Sequence, residues 1–174
     1  TANRCQQQDV VLCVQDTTTL NYTSHPHTRD LGTIGSYQDK SIGIMVHDTM
    51  AFTAQGVPLG LIDLQTWTRP PQEFGKSEAR KDKPIYDKES NKWLHSFQAM
   101  QQLQQHVSNT MLVNICDREA DIFELFEQAT HESDSCELLV RASHNRRVEH
   151  PEYYLWDFMA KQERDMMKHR LKKK

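Results

Sequence analysis

The chain has 174 residues, enough to bury a sizeable core in one domain, or in one domain and part of a second. Apolar residues make up 37% and charged residues 26%, the balance of a folded globular protein. A formal charge of −3 gives no global reason to expect nucleic acid, no apolar run approaches the roughly 18 residues of a membrane span, and no signal peptide is visible.

Four cysteines, Cys5, Cys13, Cys116 and Cys136, show no zinc spacing. Cys13 and Cys116 fall inside apolar runs, where a thiol is a small hydrophobe, and this favours a reducing compartment. The chain starts at Thr1 and ends in a lysine run, so both ends read as cuts in a longer protein.

In chain order, residues 9–15 carry Val10-Val11-Leu12-Cys13-Val14, a continuous apolar run too short for a helix and typical of a central strand. Residues 17–40 are polar and broken by Pro26, Gly32 and Gly35, which predicts a long loop. Ile42, Ile44 and Val46 then alternate with Gly43, Met45 and His47, the period of a half-buried strand. Gln55-Gly56 supplies a turn, and Leu59, Leu61, Ile62 and Leu64 mark a third strand. Three strands joined by short links predict an antiparallel meander.

Residues 68–88 are charged and contain Pro70, Pro71 and Pro84, a loop long enough to be functional or disordered. A helix follows with Trp93, Phe97, Met100 and Val107 on one face and glutamines on the other. Met111-Leu112-Val113 predicts a fourth strand, 121–130 a helix capped by Asp121, and 137–142 a fifth strand. Leu155, Trp156, Phe158 and Met159 return to helical spacing. The order β-β-β-α-β-α-β-α fits a mixed five-stranded α/β sheet of the ribonuclease-H-like kind, with three antiparallel strands and the fourth docked parallel beside the first. We divide the chain into a core, 1–148, and a C-terminal helix with a basic tail, 149–174.

That topology brings Asp16, at the end of the first strand, to Asp117, at the end of the fourth, although they are distant in sequence. Reactive groups of open α/β sheets gather at such carboxyl ends. Two neighbouring carboxylates are what Mg²⁺ requires, since it takes one or two protein carboxylates and completes its shell with water and phosphate oxygens. A pair of such ions can both activate a nucleophile and hold the leaving oxygen of a phosphodiester. Read alone, an Asp just before a helix, as Asp117 is, is more often a cap or dipole partner, and Asp16 could equally be turn chemistry.

A resemblance sharpens this. Gln15-Asp16-Thr17-Thr18, running on to Leu20-Asn21-Tyr22-Thr23, resembles the first acidic block of the DDE transposases of bacterial insertion sequences, closest to insertion-sequence family four. Gly35 with Gln38-Asp39-Lys40-Ser41 and His47 is similar to the segment that follows there. Lys88-Glu89-Ser90-x-Lys92-Trp93-Leu94 matches a helix entry, Cys116-Asp117-Arg118-Glu119-Ala120-Asp121-Ile122 the second acidic block, and Val140-Arg141-x-Ser143-His144 the strand after it. The blocks keep their order over residues 9–150.

The resemblance implies a transposase catalytic core that cleaves DNA at transposon ends and joins the 3′-hydroxyl to target DNA with Mg²⁺ or Mn²⁺. Asp16 and Asp117 would be catalytic metal ligands, Arg141, Lys40 and His144 DNA contacts, double-stranded DNA and a second copy the partners, and the bacterial cytoplasm, at the nucleoid, the location. The family's third acid, a glutamate on a late helix, has no counterpart here, so the chain is expected to be inactive by itself. Two rivals remain: a non-catalytic remnant that at most binds DNA, and a free-standing Mg²⁺-dependent nuclease that uses Glu119 or Glu124 as third acid.

Other residues have plainer readings. His25-Pro26-His27 lacks a third ligand and reads as loop; His47 could approach the acidic site but reads as a satisfied, half-buried strand residue. Trp67, Trp93 and Trp156 read as packing residues. Arg69, Lys76, Arg80, Lys81 and Lys83, and the lysines and arginines from Lys161 onwards, could track a DNA backbone but read as solvated segments.

Overall fold

The computed structural model describes residues 1–25, 27–35, 40–70, 83–131, 136–148 and 154–161. The chain divides into two compact units, Thr1–Arg141 and Ala142–Lys174.

The first unit is an α/β layer structure with a mixed six-stranded sheet. A short helix α1 (Ala2–Cys5) precedes β1 (Val10–Asn21), β2 (Gly32–Thr33), β3 (Ile42–Thr53), β4 (Pro58–Trp67), α2 (Asn91–His106), β5 (Met111–Cys116), α3 (Phe123–His131) and β6 (Glu137–Val140). β3 pairs antiparallel with β1, β2 and β4. β5 pairs parallel with β1, and β6 parallel with β5. The meander and the parallel docking of the Asp117 strand follow the predicted order.

Two expectations are corrected. The sheet has six strands, not five: the sixth is the two-residue β2, inside the segment predicted as a 17–40 loop. β1 also runs on to Asn21 because Thr17, Thr18 and Thr19 are β-branched and continue the ladder with β3 instead of turning. Gly43 makes the three-strand contact at this end possible. It pairs with Asn21 on one side and Gly32 on the other, and any Cβ there would collide with the Leu20 carbonyl. The Gln55-Gly56 turn is present, with Gly56 at φ +85° and its N–H bonded to the Thr53 carbonyl at 2.9 Å.

Alternation divides the sheet into two faces. On one, Val11, Cys13 and Gln15 of β1, Met45, His47 and Thr49 of β3, and Leu112, Asn114 and Cys116 of β5 are buried. α2 crosses this face, touching β1, β3, β4 and β5, and α3 packs on α2. The predicted helix face is the buried one: Trp93, Phe97, Met100 and the following Val107 join Val11, Ala51, Leu112 and Leu125 in the core. All four cysteines are buried there. Burial, with the Asp117 charge second, pushes the Cys116 thiol up to about 12, as suits a small hydrophobe.

In the second unit α4 (Leu155–Lys161) starts where the Leu155 N–H bonds the Arg146 carbonyl at 2.8 Å and the Trp156 N–H bonds Asn145 Oδ1 at 3.0 Å. Trp156 is 45% exposed, so it is not the packing residue predicted. Among the described residues no helix is long and apolar enough to cross a membrane.

Candidate active site

The opposite sheet face carries the predicted acids. Asp16 lies within β1, directly across from Asp48 of β3. β1 and β5 are paired up to Val14 and Ile115. Two residues further, the same register sets Asp16 level with Asp117, whose backbone is still extended (φ −81°, ψ −167°). β6 continues the row: Val140 pairs with Cys116, and the Arg141 N–H bonds the Cys116 carbonyl at 3.1 Å. Asp48, Asp16, Asp117 and Arg141 therefore form one row across four adjacent strands. Asp16, Asp117 and Arg141 are exposed and Asp48 is half-buried.

Each member owes its place to local sequence. Asp16 is the first exposed residue of β1, just past the β-branched and apolar run that centres the strand. Asp117 ends β5 because a 3₁₀ turn, Arg118–Ala120, begins there. Asp117 caps it, its Oδ1 accepting the Glu119 N–H at 2.8 Å. The sequence points to Asp121 as the cap of the following helix; Asp121 is buried, two residues before α3 begins.

Asp48 is the member that sequence reading missed. It follows His47 in the alternation and has no motif of its own, and only the antiparallel register reveals it as the partner of Asp16. Partial burial, and then the nearby Asp16 charge, raise its pKa above the ordinary carboxylate value. Adjacent strands are roughly 4.8 Å apart, so the outer two aspartates of the row are on the order of 10 Å apart. The row is a line of carboxylates rather than a cage. Consistently, no three His, Cys, Asp or Glu side chains among the described residues form a group that could hold a metal ion by themselves.

The alternative third acids have other partners or places. Glu119 is paired with Lys92 (Nζ to Oε2, 3.1 Å), and Glu124 lies in the first turn of α3. Lys92 itself is largely buried, its amine 5.7 Å from the Trp67 ring and 5.4 Å from the Trp93 ring. Behind it, Arg69 and Glu89 form a two-pronged pair at 2.6 Å on each prong, tying the end of β4 to the entry of α2. Burial, the largest single influence, would raise the Glu89 pKa, but the Arg69 hydrogen bonds and charge, together with Trp67 and the Lys92 charge, outweigh it and lower it. Arg69 is thus a structural partner rather than a free cation.

Of the predicted DNA contacts, Arg141 joins the row, and Lys40 is exposed just before β3. His144 belongs to the second unit, where its Nδ1 lies 2.8 Å from Ser143 Oγ. His25 is exposed with its ring edge-on to Tyr22, and Pro26 lies outside the described residues, as do Gln38, Asp39, Lys76, Arg80, Lys81 and the basic tail beyond Lys161. His47 is fully buried rather than half-buried, and both its ring nitrogens are hydrogen-bonded. A comparison of the chain with models of known protein families finds no match.

Proposed function

We propose that the chain is the catalytic-core part of a DDE transposase of the bacterial insertion-sequence type, with a ribonuclease-H-like sheet, acting on double-stranded DNA. The observation that carries the reading is the register between β1 and β5, which, continued two residues past Val14 and Ile115, makes Asp16 within β1 a neighbour of Asp117, just past the carboxyl end of β5. Two exposed carboxylates backed by a third, Asp48, make an all-oxygen, strongly anionic donor set of the kind that suits Mg²⁺ or Mn²⁺.

Asp16 and Asp117 would hold such a cation, whose chemistry is to neutralise charge on a phosphodiester and sharpen the attacking oxygen. The Glu119 N–H occupies Asp117 Oδ1 and so orients this carboxylate. Arg141, at the end of the row, would take a phosphate oxygen of the DNA. Lys40 and His144 remain further DNA-backbone contacts, and synapsis of two transposon ends calls for a second copy. The third acid of the family pattern has no match in these residues, so metal and DNA binding, without turnover, is the expected behaviour.

A Mn²⁺ titration of the 174-residue chain tests this. Binding that drops at least about tenfold in Asp16→Asn and in Asp117→Asn is expected; unchanged affinity in both rejects the site. Asp48 favours one second reading, a free-standing Mg²⁺-dependent nuclease with an all-aspartate row. Nicking of supercoiled plasmid by the wild-type chain, lost in Asp48→Asn, would select that reading over the first.

A further inference from the structure

Directly behind the carboxylate row, on the buried face of the same three strands, polar side chains form a hydrogen-bond chain with a fixed direction. Gln15 Nε2 donates to Asn114 Oδ1 at 2.8 Å. Gln15 Oε1 is then left to accept, and His47 Nε2 lies 3.1 Å from it. Nε2 is therefore the protonated ring nitrogen, and Nδ1 accepts from Thr17 Oγ at 2.9 Å. The Trp93 ring meets His47 edge-on, 4.5 Å between centroids at 77°, and closes off its remaining side.

Stability does not explain this chain. His47, Gln15 and Asn114 are at most 2% exposed, and Asn114 Nδ2 ends the chain beside the Cys116 thiol with no oxygen or nitrogen partner among the described residues. Apolar residues of similar shape would avoid that desolvation cost. Placement explains it better. Gln15 and Thr17 flank Asp16, His47 precedes Asp48, and Asn114 is on β5, which Asp117 directly follows. The backbone ladder between β1 and β5 stops at Val14 and Ile115, short of Asp16 and Asp117. The side-chain chain spans β3, β1 and β5 at that level.

We infer that Thr17, His47, Gln15 and Asn114 form a positioning clamp that sets the spacing of Asp16 and Asp117, with His47 as its centre. The inference rests on the metal-site reading of those two acids. The acids bind; the clamp acts through them.

The test is Mn²⁺ affinity of the full chain, read by water-proton relaxation on variants whose fold is checked by circular dichroism. His47→Phe keeps a ring but removes both hydrogen bonds, and should weaken Mn²⁺ binding about tenfold, as loss of a ligand's supporting partner typically does. Thr17→Val removes one hydroxyl and should weaken it by a smaller factor. His47→Gln, which offers one acceptor and one donor, should recover most of the loss. A merely structural histidine would lower the melting temperature without moving affinity in the folded variants. Wild-type affinity in both His47→Phe and Thr17→Val, with binding lost in Asp16→Asn, overturns the clamp and leaves the metal site standing. If His47→Phe does not fold, Thr17→Val decides by the same criterion. Absence of Mn²⁺ binding in the wild-type chain, or binding indifferent to Asp16→Asn, overturns both.

Discussion

The two faces of the central sheet are built from alternate residues of the same strands, yet they do different work. The face beneath α2 is sealed by Trp93, Phe97 and Met100 and carries the hydrogen-bonded chain from Thr17 to Asn114. The other bears half-buried Val10, Leu12, Val14, Val113 and Ile115, and then the row from Asp48 to Arg141. The sealed face settles the register of the strands, and register is what aligns the acids. A one-residue slip of β1 would turn Asp16 into the core and Gln15 out of it. Burial on one side and the alignment of the acids on the other are therefore one structural fact read from two directions.

Truncation should break the comparison most sharply. Phe97→Ala, at a side chain with no exposure, is expected to cost about 3–5 kcal/mol in urea unfolding. Val14→Ala, on the half-buried face, should cost about 1 kcal/mol or less. Equal losses at the two sites would show that the open face is as tightly packed as the sealed one.

The second measurement is pH. Burial first, and the nearby Lys92 charge second, lower the His47 pKa from 6.5 to about 4. The unfolded chain therefore binds a proton through that interval that the folded chain does not. The contribution is full above pH 6.5 and is lost as pH falls towards 4. It amounts to at most roughly 3 kcal/mol. Unfolding free energies from pH 7.5 to 4.5 should lose this increment in the wild type and lack the His47 share of it in His47→Gln. Identical slopes in the two proteins would place the acid sensitivity elsewhere.

The smallest effect belongs to the row. Because the folded-state pKa of Asp48 is raised, the folded chain holds that proton more tightly than the unfolded one, and ionisation above this pKa costs stability. Asp48→Asn should therefore stabilise the protein at pH 7 by a fraction of about 1 kcal/mol, a modest gain for a partly solvated group. Saturating Mn²⁺ should shrink the gain by stabilising the wild type. Destabilisation by Asp48→Asn would mean that Asp48 has a favourable partner, and that the acids do not repel.

Much of this architecture is legible in the sequence, because it is written in local periods. The unbroken apolar run at Val10–Val14, the alternation after Ile42 and the 3.6-residue spacing from Trp93 to Val107 each state an element and its buried side. The order of elements then suffices to bring Asp16 beside Asp117. The extension of β1 through its threonines is not legible, since the same residues suit a turn or an edge, and only the β3 ladder chooses between them. Nor is β2, whose two residues pair because Gly43 lets strands approach from both sides. Asp48 and the link from His47 through Gln15 to Asn114 depend on which residues face each other across strands, a relation between distant segments that no single segment encodes. Local chemistry therefore determined where strands and helices form, and tertiary register alone decided which side chains meet.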